Sequence, residues 1–492
     1  MDDKELINLI LEKNEWQSFE CKRAAIKPAK LIETVSAFSN TNGGIIALGL
    51  EDPKKFEGRN RLVGISENPD NVSEFLKLTD KELAPPIFGW TSKYVDITNT
   101  NKKQDQLLLI FIEKSNDVHS LKNGNTYVRK GNQNVKIGAV EIQNLQYEKG
   151  LRKYEDEISK ITDLQELSQK LFNQYKKDTD SNNEDEWQFL KDNGLAHKKD
   201  DVFTLTKAGV LLFGKNPTVL LKSKCGIKIS HYYGTKPTYS GEPNFVEKPF
   251  TVEGPLMKQI DDTMEYFNSI VKKSPPKLSG SVFKPSLLIP AWAFQEAVTN
   301  AVIHRNYYIE DDVQIRIFDD RIEIESPGTY PGKITVNNIR NERFARNPMI
   351  QRVLNRFQES PNLDIGEGVD RMFKIMKEHN LYEPLYFPQE IRPNSVLVIL
   401  LSTKRVEYWD IISQYLDENH YIKPQKAREI TGVMDSVEMS RLFGQWVNSG
   451  ILEQAGKSKK GSYYIKPGTI LEKDLLLKHL KINPKSSKNA LK

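Results

Sequence analysis

Hydrophobic and polar positions change rhythm several times along the chain, and each change marks an element. Phe19-Glu20-Cys21-Lys22 alternates with the two-residue period of a strand, and residues 29–39 repeat their apolar positions as a helix. Asn40-Thr41-Asn42-Gly43-Gly44 then breaks the helix before an apolar strand over 45–50. Tyr127-Val128-Arg129-Lys130-Gly131 reads as a strand and turn closing this part. Residues 148–184 are rich in Glu and Lys and predict a charged helical connector. A helix over 187–194, a strand over 202–205 and a helix start over 206–214 then predict a small winged-helix-like bridge. Near residue 300 a helix carries apolar Ala297, Val298, Ala301, Val302 and Ile303. After Ser402 the pattern predicts helices over 408–416, 424–431 and 436–448, followed by strands over 451–454 and 462–465. Strands and helices mixed without a repeat predict an α+β multidomain protein. Its expected boundaries are 1–147, 148–215, 216–402, 403–470 and a basic tail over 471–492.

The helix near residue 300 carries the sharpest chemistry. Glu296 and Asn300, four apart, share one helix face, and the apolar residues around them turn that pair toward a pocket rather than solvent. A carboxylate to orient water and an amide oxygen for a hard cation are what an ATP-Mg site needs. Glu296-x-x-x-Asn300-Ala301-x-x-His304 followed by Arg305-Asn306-Tyr307 resembles the N box of the GHKL ATP-binding fold, in the divergent branch joined to Schlafen-type AlbA-like domains. Residues 319–328, ending Ser326-Pro327-Gly328, match that branch's hairpin and Pro-Gly turn, and Gly366-Glu367-Gly368-Val369 sits where a glycine loop opens a helix and backbone N–H groups can hold phosphates. The resemblance implies a GHKL-like α/β sandwich binding ATP or another nucleotide with Mg through Glu296, Asn300, Ser326, Gly328, Gly366 and Gly368, with Asn300 on the metal and weak ATPase chemistry at Glu296. Ser326 stands where ordinary members have the Asp that reads the adenine amino group, so weaker base discrimination is expected. No P-loop motif offers a second phosphate site.

In the N-terminal segment, Glu20 and Lys22 point to one face of their strand, and the end of the next strand is placed to bring Asp52 beside them. Acids with a lysine form the set a Mg-dependent phosphodiesterase uses. Glu20-Cys21-Lys22, Ala37-Phe38-Ser39-Asn40-Thr41-Asn42-Gly43-Gly44 and Gly49-Leu50-Glu51-Asp52 together resemble a Schlafen AlbA-like α+β domain. That resemblance implies a nuclease triad of Glu15, Glu20 and Asp52 holding Mg or Mn, with Lys22 as a catalytic partner. Lys22, Arg23, Lys27, Lys30, Arg129 and Lys130 are the expected nucleic-acid contacts of this domain.

The C-terminal three helices and Gly456-Lys457-Ser458-Lys459-Lys460-Gly461 describe a winged helix-turn-helix, in which Arg441, Gln445, Lys457, Lys459 and Lys460 are the expected DNA contacts. Trp446 and Phe443 read as core. Composition adds limits rather than chemistry. The chain has 492 residues, 38% hydrophobic and 28% charged, typical of globular domains, and its net charge of +5 permits a nucleic-acid partner without demanding one. Its 2 cysteines, Cys21 and Cys225, support neither a disulfide framework nor a zinc site. No apolar run spans a membrane, the acidic start does not suit a signal peptide, and a cytoplasmic homo-oligomer is expected. Three functions stay open: a nucleotide-regulated protein that binds and cleaves RNA or DNA, with phage defence as a setting by family analogy; an ATP-responsive DNA-binding transcription regulator without catalysis; and a GHKL-like assembly protein.

Overall fold

Alternation along the N-terminal strands divides their side chains between two apolar layers. The computed structural model describes residues 3–11, 15–181, 183–273, 277–279, 282–284, 287–361, 366–455 and 462–469. The first elements are α1 (Asp3–Leu11), β1 (Phe19–Lys22), α2 (Pro28–Asn40), β2 (Gly44–Leu48), α3 (Pro69–Thr79), β3 (Leu83–Ala84), β4 (Trp90–Thr98) and β5 (Gln104–Ile112). They are followed by β6 (Ser120–Leu121), β7 (Thr126–Lys130), β8 (Gln133–Ile137) and α4 (Ala139–Glu148). One sheet runs β1-β2-β5-β4, with β1 parallel to β2 and the other pairs antiparallel. Phe19, Cys21, Ile45, Ala47, Val95, Leu107 and Leu109 face α1, while Ile46, Leu48, Leu108 and Ile110 face Leu31, Val35 and Phe38 of α2 and Phe75 of α3. A second sheet runs β3-β6-β7-β8.

The Asn-Thr-x-Gly-Gly turn has a structural purpose. Asn40 donates to the carbonyls of His119 and Tyr127 at 2.9 Å each and accepts from the His119 amide at 2.8 Å, fastening α2 to the second sheet. Gly43 has φ +73°, and a β-carbon there would press on the Ile112 carbonyl.

The connector begins with short 3-10 turns at Tyr154–Asp156 and Leu164–Glu166, so it is less helical than its charge pattern predicts. Then come α5 (Gln169–Asp178), α6 (Glu186–Asp192), β9 (Ala196–Lys199), β10 (Val202–Leu205), α7 (Lys207–Phe213) and α8 (Pro217–Leu221). Thr206 caps α7 by accepting from the Gly209 amide. Beyond them lie β11 (Ile227–His231), β12 (Phe250–Val252), α9 (Leu256–Lys273), β13 (Lys277–Ser279), β14 (Val282–Lys284), α10 (Ala291–Ile303), β15 (Val313–Ile317) and β16 (Arg321–Pro327). This part ends with α11 (Pro348–Asn355), α12 (Gly368–Glu378), β17 (Leu385–Tyr386) and β18 (Ser395–Leu401). A six-stranded sheet has the order β12-β11-β15-β16-β18-β17, and β15 and β16 form the expected hairpin. Helix α10 packs against α9, α12 and β16.

The final elements are α13 (Trp409–Asn419), α14 (Pro424–Thr431), α15 (Ser436–Asn448), β19 (Glu453–Ala455) and β20 (Tyr463–Ile465). β19 and β20 pair antiparallel, and Ile422 bridges to Tyr464. Phe443 and Trp446 are buried against each other, as expected of core residues, while Arg441 and Gln445 on α15 are exposed. Lys457, Lys459, Lys460 and the tail beyond residue 470 lie outside the described residues. The chain forms two units, one of residues 1–149 with 408–492 and one of 150–407. No described helix is long and apolar enough to cross a membrane.

Candidate nucleotide cavity and acidic cluster

Helix α10 is held at its C-terminal end, where helix carbonyls lack intrahelical partners. Asn347 donates to the carbonyls of Ile303 and Arg305 at 2.7 and 2.8 Å, and Arg346 donates to the His304 carbonyl at 3.0 Å and the Thr329 carbonyl at 2.5 Å. The helix thus presents a fixed polar face. Asn300 Nδ2 donates to Glu296 Oε1 at 2.8 Å, a bond that does not use the Asn300 side-chain carbonyl oxygen. Burial raises the Glu296 carboxyl above its usual range, opposed by the Asn300 bond and the charge of Arg371.

That face lines a cavity of about 520 Å³, within the range of small-molecule sites. Ile324, Val396 and Val398 give it an apolar floor, and Ser326, His304, Arg343, Arg371, Gly366 and Gly368 add polar groups. Ser326 donates to the Ala301 carbonyl at 2.7 Å, so its hydroxyl hydrogen is engaged by α10 and its oxygen remains an acceptor. Gly328, at φ +110°, lies against Asn306, where a β-carbon would approach to 2.7 Å. The two loop glycines answer a steric demand. A β-carbon on Gly368 would collide with the Glu296 carboxylate, and one on Gly366, whose φ is +68°, would collide with the Arg343 guanidinium. Burial pushes the His304 imidazole down to about 4, with Arg346 adding to it, and its Nδ1 is buried with no hydrogen-bond partner among the described residues. The buried His304 Nδ1, the Gly366–Gly368 turn and the Asn300 amide that line this cavity fit a nucleotide with its cation.

Arg343 and Arg371 were not visible as site residues in the sequence. Arg371 sits one turn into α12, its guanidinium 5.7 Å from the Trp292 ring centroid. Neither belongs to a motif; only the fold brings them to the cavity.

The N-terminal acids are arranged differently from expectation. Lys22 Nζ lies 2.7 Å from Glu15 Oε1 and 2.6 Å from Glu20 Oε1, and Arg129 Nη2 lies 2.6 Å from Glu20 Oε2. Two acids and two cations therefore balance. Burial alone would depress the Lys22 ammonium, but Glu20 and Glu15 outweigh it and raise it. Asp52 is not part of this group: its Oδ1 accepts from the Lys54 amide at 2.9 Å in its own turn, and among the described residues no three acidic, His or Cys side chains are placed to hold a metal. Of the expected triad of Glu15, Glu20 and Asp52, the structure brings together the two glutamates, with the Lys22 ammonium between them.

Arg129 also departs from its expected role as a surface contact. Its side chain is 1% exposed, lies 5.1 Å from the Phe38 ring centroid, and donates to Asn134 at 2.7 Å and the Trp16 carbonyl at 3.1 Å. Lys27, Lys30 and Lys130 are exposed, with Lys30 paired to Glu33 at 3.1 Å. Arg23 pairs with Glu67 and, at 3.2 Å, with Glu51, a buried acid that sequence reading passed over for Asp52. Cys21 is buried beside Arg61, which donates to its sulfur at 3.2 Å, and burial pushes its thiol up to about 12; it is a core residue, as expected.

A six-stranded sheet with α10 packed against it, and a cavity lined by Glu296, Asn300, Gly366 and Gly368, mark the central part of the chain. Residues 310–400 match the family model described as "Putative ATP-dependent DNA helicase recG C-terminal", of the HATPase type, and residues 15–138 match the model described as "Schlafen, AlbA_2". The chain therefore joins a Schlafen AlbA-type domain to a HATPase-type domain, the domain types of nucleic-acid-related ATP-binding proteins. A solved structure, the DIP2311 protein from Corynebacterium diphtheriae, is 18% identical to it, covers 97% of this chain and 98% of its own, and has a TM-score of 0.41. No curated protein matches.

Proposed function

We propose that the protein is a nucleotide-regulated nucleic-acid-binding protein. The observation that carries this is the cavity bounded by Glu296, Asn300 and the Gly366–Gly368 turn in a chain that also has a Schlafen AlbA-type domain. Asn300 would hold a Mg ion through its amide oxygen, and that ion, when bound, would offset the phosphates' charge. The chain's own residues do the rest. Ile324, Val396 and Val398 would exclude water from the base, Ser326 would accept from its amino group, and Glu296 would receive a proton from a water beside the phosphates.

In the N-terminal domain, exposed Lys27, Lys30 and Lys130 would meet the nucleic-acid backbone. Helix α15 would present Arg441 and Gln445 to a duplex, in the manner of a winged helix. Cleavage is the second reading, favoured by Lys22 held between Glu15 and Glu20, where an ammonium can steady a phosphate and a carboxylate can take a proton. One experiment separates the readings. Labelled RNA, single-stranded DNA and duplex are incubated with the full chain, with and without ATP, Mg and Mn. Strand loss that disappears in Glu20→Ala supports a nuclease; retention on a filter without strand loss supports binding alone; neither retention nor loss would overturn the nucleic-acid reading.

A further inference from the structure

Among the charged residues lining the cavity, all but one have a partner that restrains them. Glu342 pairs with Lys333 at 2.9 Å, Arg371 lies 3.8 Å from Glu367 and over Trp292, and Glu296 accepts from Asn300. Arg343 has no ion pair or hydrogen bond among the described residues. It is nonetheless placed, not adrift. It stands three residues before Arg346, whose bonds to the His304 and Thr329 carbonyls hold this segment, and its exposed guanidinium lies against Gly366, where a β-carbon would meet it.

We infer that Arg343 binds the terminal phosphate of a nucleoside triphosphate in this cavity and sets its preference for that charge state over the diphosphate and the nucleoside. The inference rests on the nucleotide-binding reading above. Its chemistry is direct: a guanidinium presents a planar fork of N–H donors that matches phosphate oxygens and stays protonated at any working pH. Arg343 lies against Gly366 in the lining of the cavity, and attraction between opposite charges favours a ligand that places its most negative end beside the guanidinium. Among the described residues the guanidinium has no ion pair or hydrogen bond to give up when it pairs with a ligand.

The test is calorimetric titration of the full chain with ATP, ADP and adenosine, each with Mg, comparing wild type, Arg343→Ala and Arg343→Lys. Loss of a hydrogen-bonded charge contact predicts that Arg343→Ala weakens ATP binding by about ten- to a hundredfold, ADP less, and adenosine not at all. Arg343→Lys should recover part of the ATP affinity. Unchanged ATP binding in Arg343→Ala, equal losses for ATP and ADP, or a matching loss for adenosine would each overturn the assignment while leaving a nucleotide site standing. A wild type that binds none of the three would instead remove the nucleotide reading, and this inference with it.

Discussion

The two polar sites of this chain handle charge in opposite ways. In the N-terminal domain, Glu15 and Glu20 are met by Lys22 and by the buried Arg129, so the acids are neutralised within the protein. In the HATPase-type domain, Glu296 lies against Gly368 and Arg343 against Gly366, and among the described residues only the acid of the two has a hydrogen-bond partner. The difference teaches which charges are spent on the fold and which are left for a ligand. A buried guanidinium holding a buried carboxylate is architecture, whereas a guanidinium with no partner beside an open cavity is available for binding.

The largest expected effect breaks the first half of that contrast. Arg129→Ala leaves Glu20 buried with one of its two cations gone and should cost on the order of 3–5 kcal/mol in urea denaturation, while Arg343→Ala should stay within about 0.5 kcal/mol of wild type. Comparable losses in both would erase the distinction.

A mid-sized effect is expected at Gly368, where a β-carbon meets the Glu296 carboxylate. Gly368→Ala should cost about 1–3 kcal/mol by overpacking and weaken nucleotide binding, read together by thermal melts with and without ATP.

Glu155 sharpens the comparison from the side of pH. It is buried and accepts from the amides of Met349 and Ile350 at 2.9 and 2.8 Å, at the start of α11, whose Gln351 lines the cavity. Burial pushes its carboxyl up from 4.5 to about 7, against the pull of those two amides. A raised folded value means that its contribution to stability is fully present below about pH 4.5 and is lost as pH climbs through 7. The wild-type-minus-Glu155→Gln difference in unfolding free energy should therefore fall by on the order of 3 kcal/mol over that window. A flat difference would mean that the amides, not burial, set its ionisation.

The smallest effect concerns α15. If exposed Arg441 meets a phosphate, Arg441→Ala should lower duplex affinity modestly and reduce the salt slope by about one, measured by fluorescence anisotropy across salt concentrations. An unchanged slope would assign the helix to a protein partner.

Much of this was legible in the chain, for reasons that differ by residue. The α10 pair, the β15–β16 hairpin and the Asn40–Gly44 turn are local: their spacing fixes both the element and the face, and the structure has them where the pattern places them. Asn40 and Gly43 prove to be structural, tying helix to sheet. What failed was long-range. Nothing in Tyr127-Val128-Arg129-Lys130 says that the arginine turns inward to Glu20, over a hundred positions away, while the lysine stays outside, and nothing in Gly49-Leu50-Glu51-Asp52 says that Glu51 rather than Asp52 becomes the buried acid. Arg343 has no motif at all. Its meaning arises only when Arg346 and Asn347 fold its segment onto the end of α10.

The central claim is that the cavity binds a nucleotide through the polar face of α10, and calorimetry of the full chain with ATP and Mg tests it most directly. Wild type should bind, Asn300→Ala should bind at least about tenfold more weakly because the amide oxygen for the cation is gone, and Glu296→Gln should keep its affinity while losing any hydrolysis. Equal ATP affinity in wild type and Asn300→Ala would contradict the account.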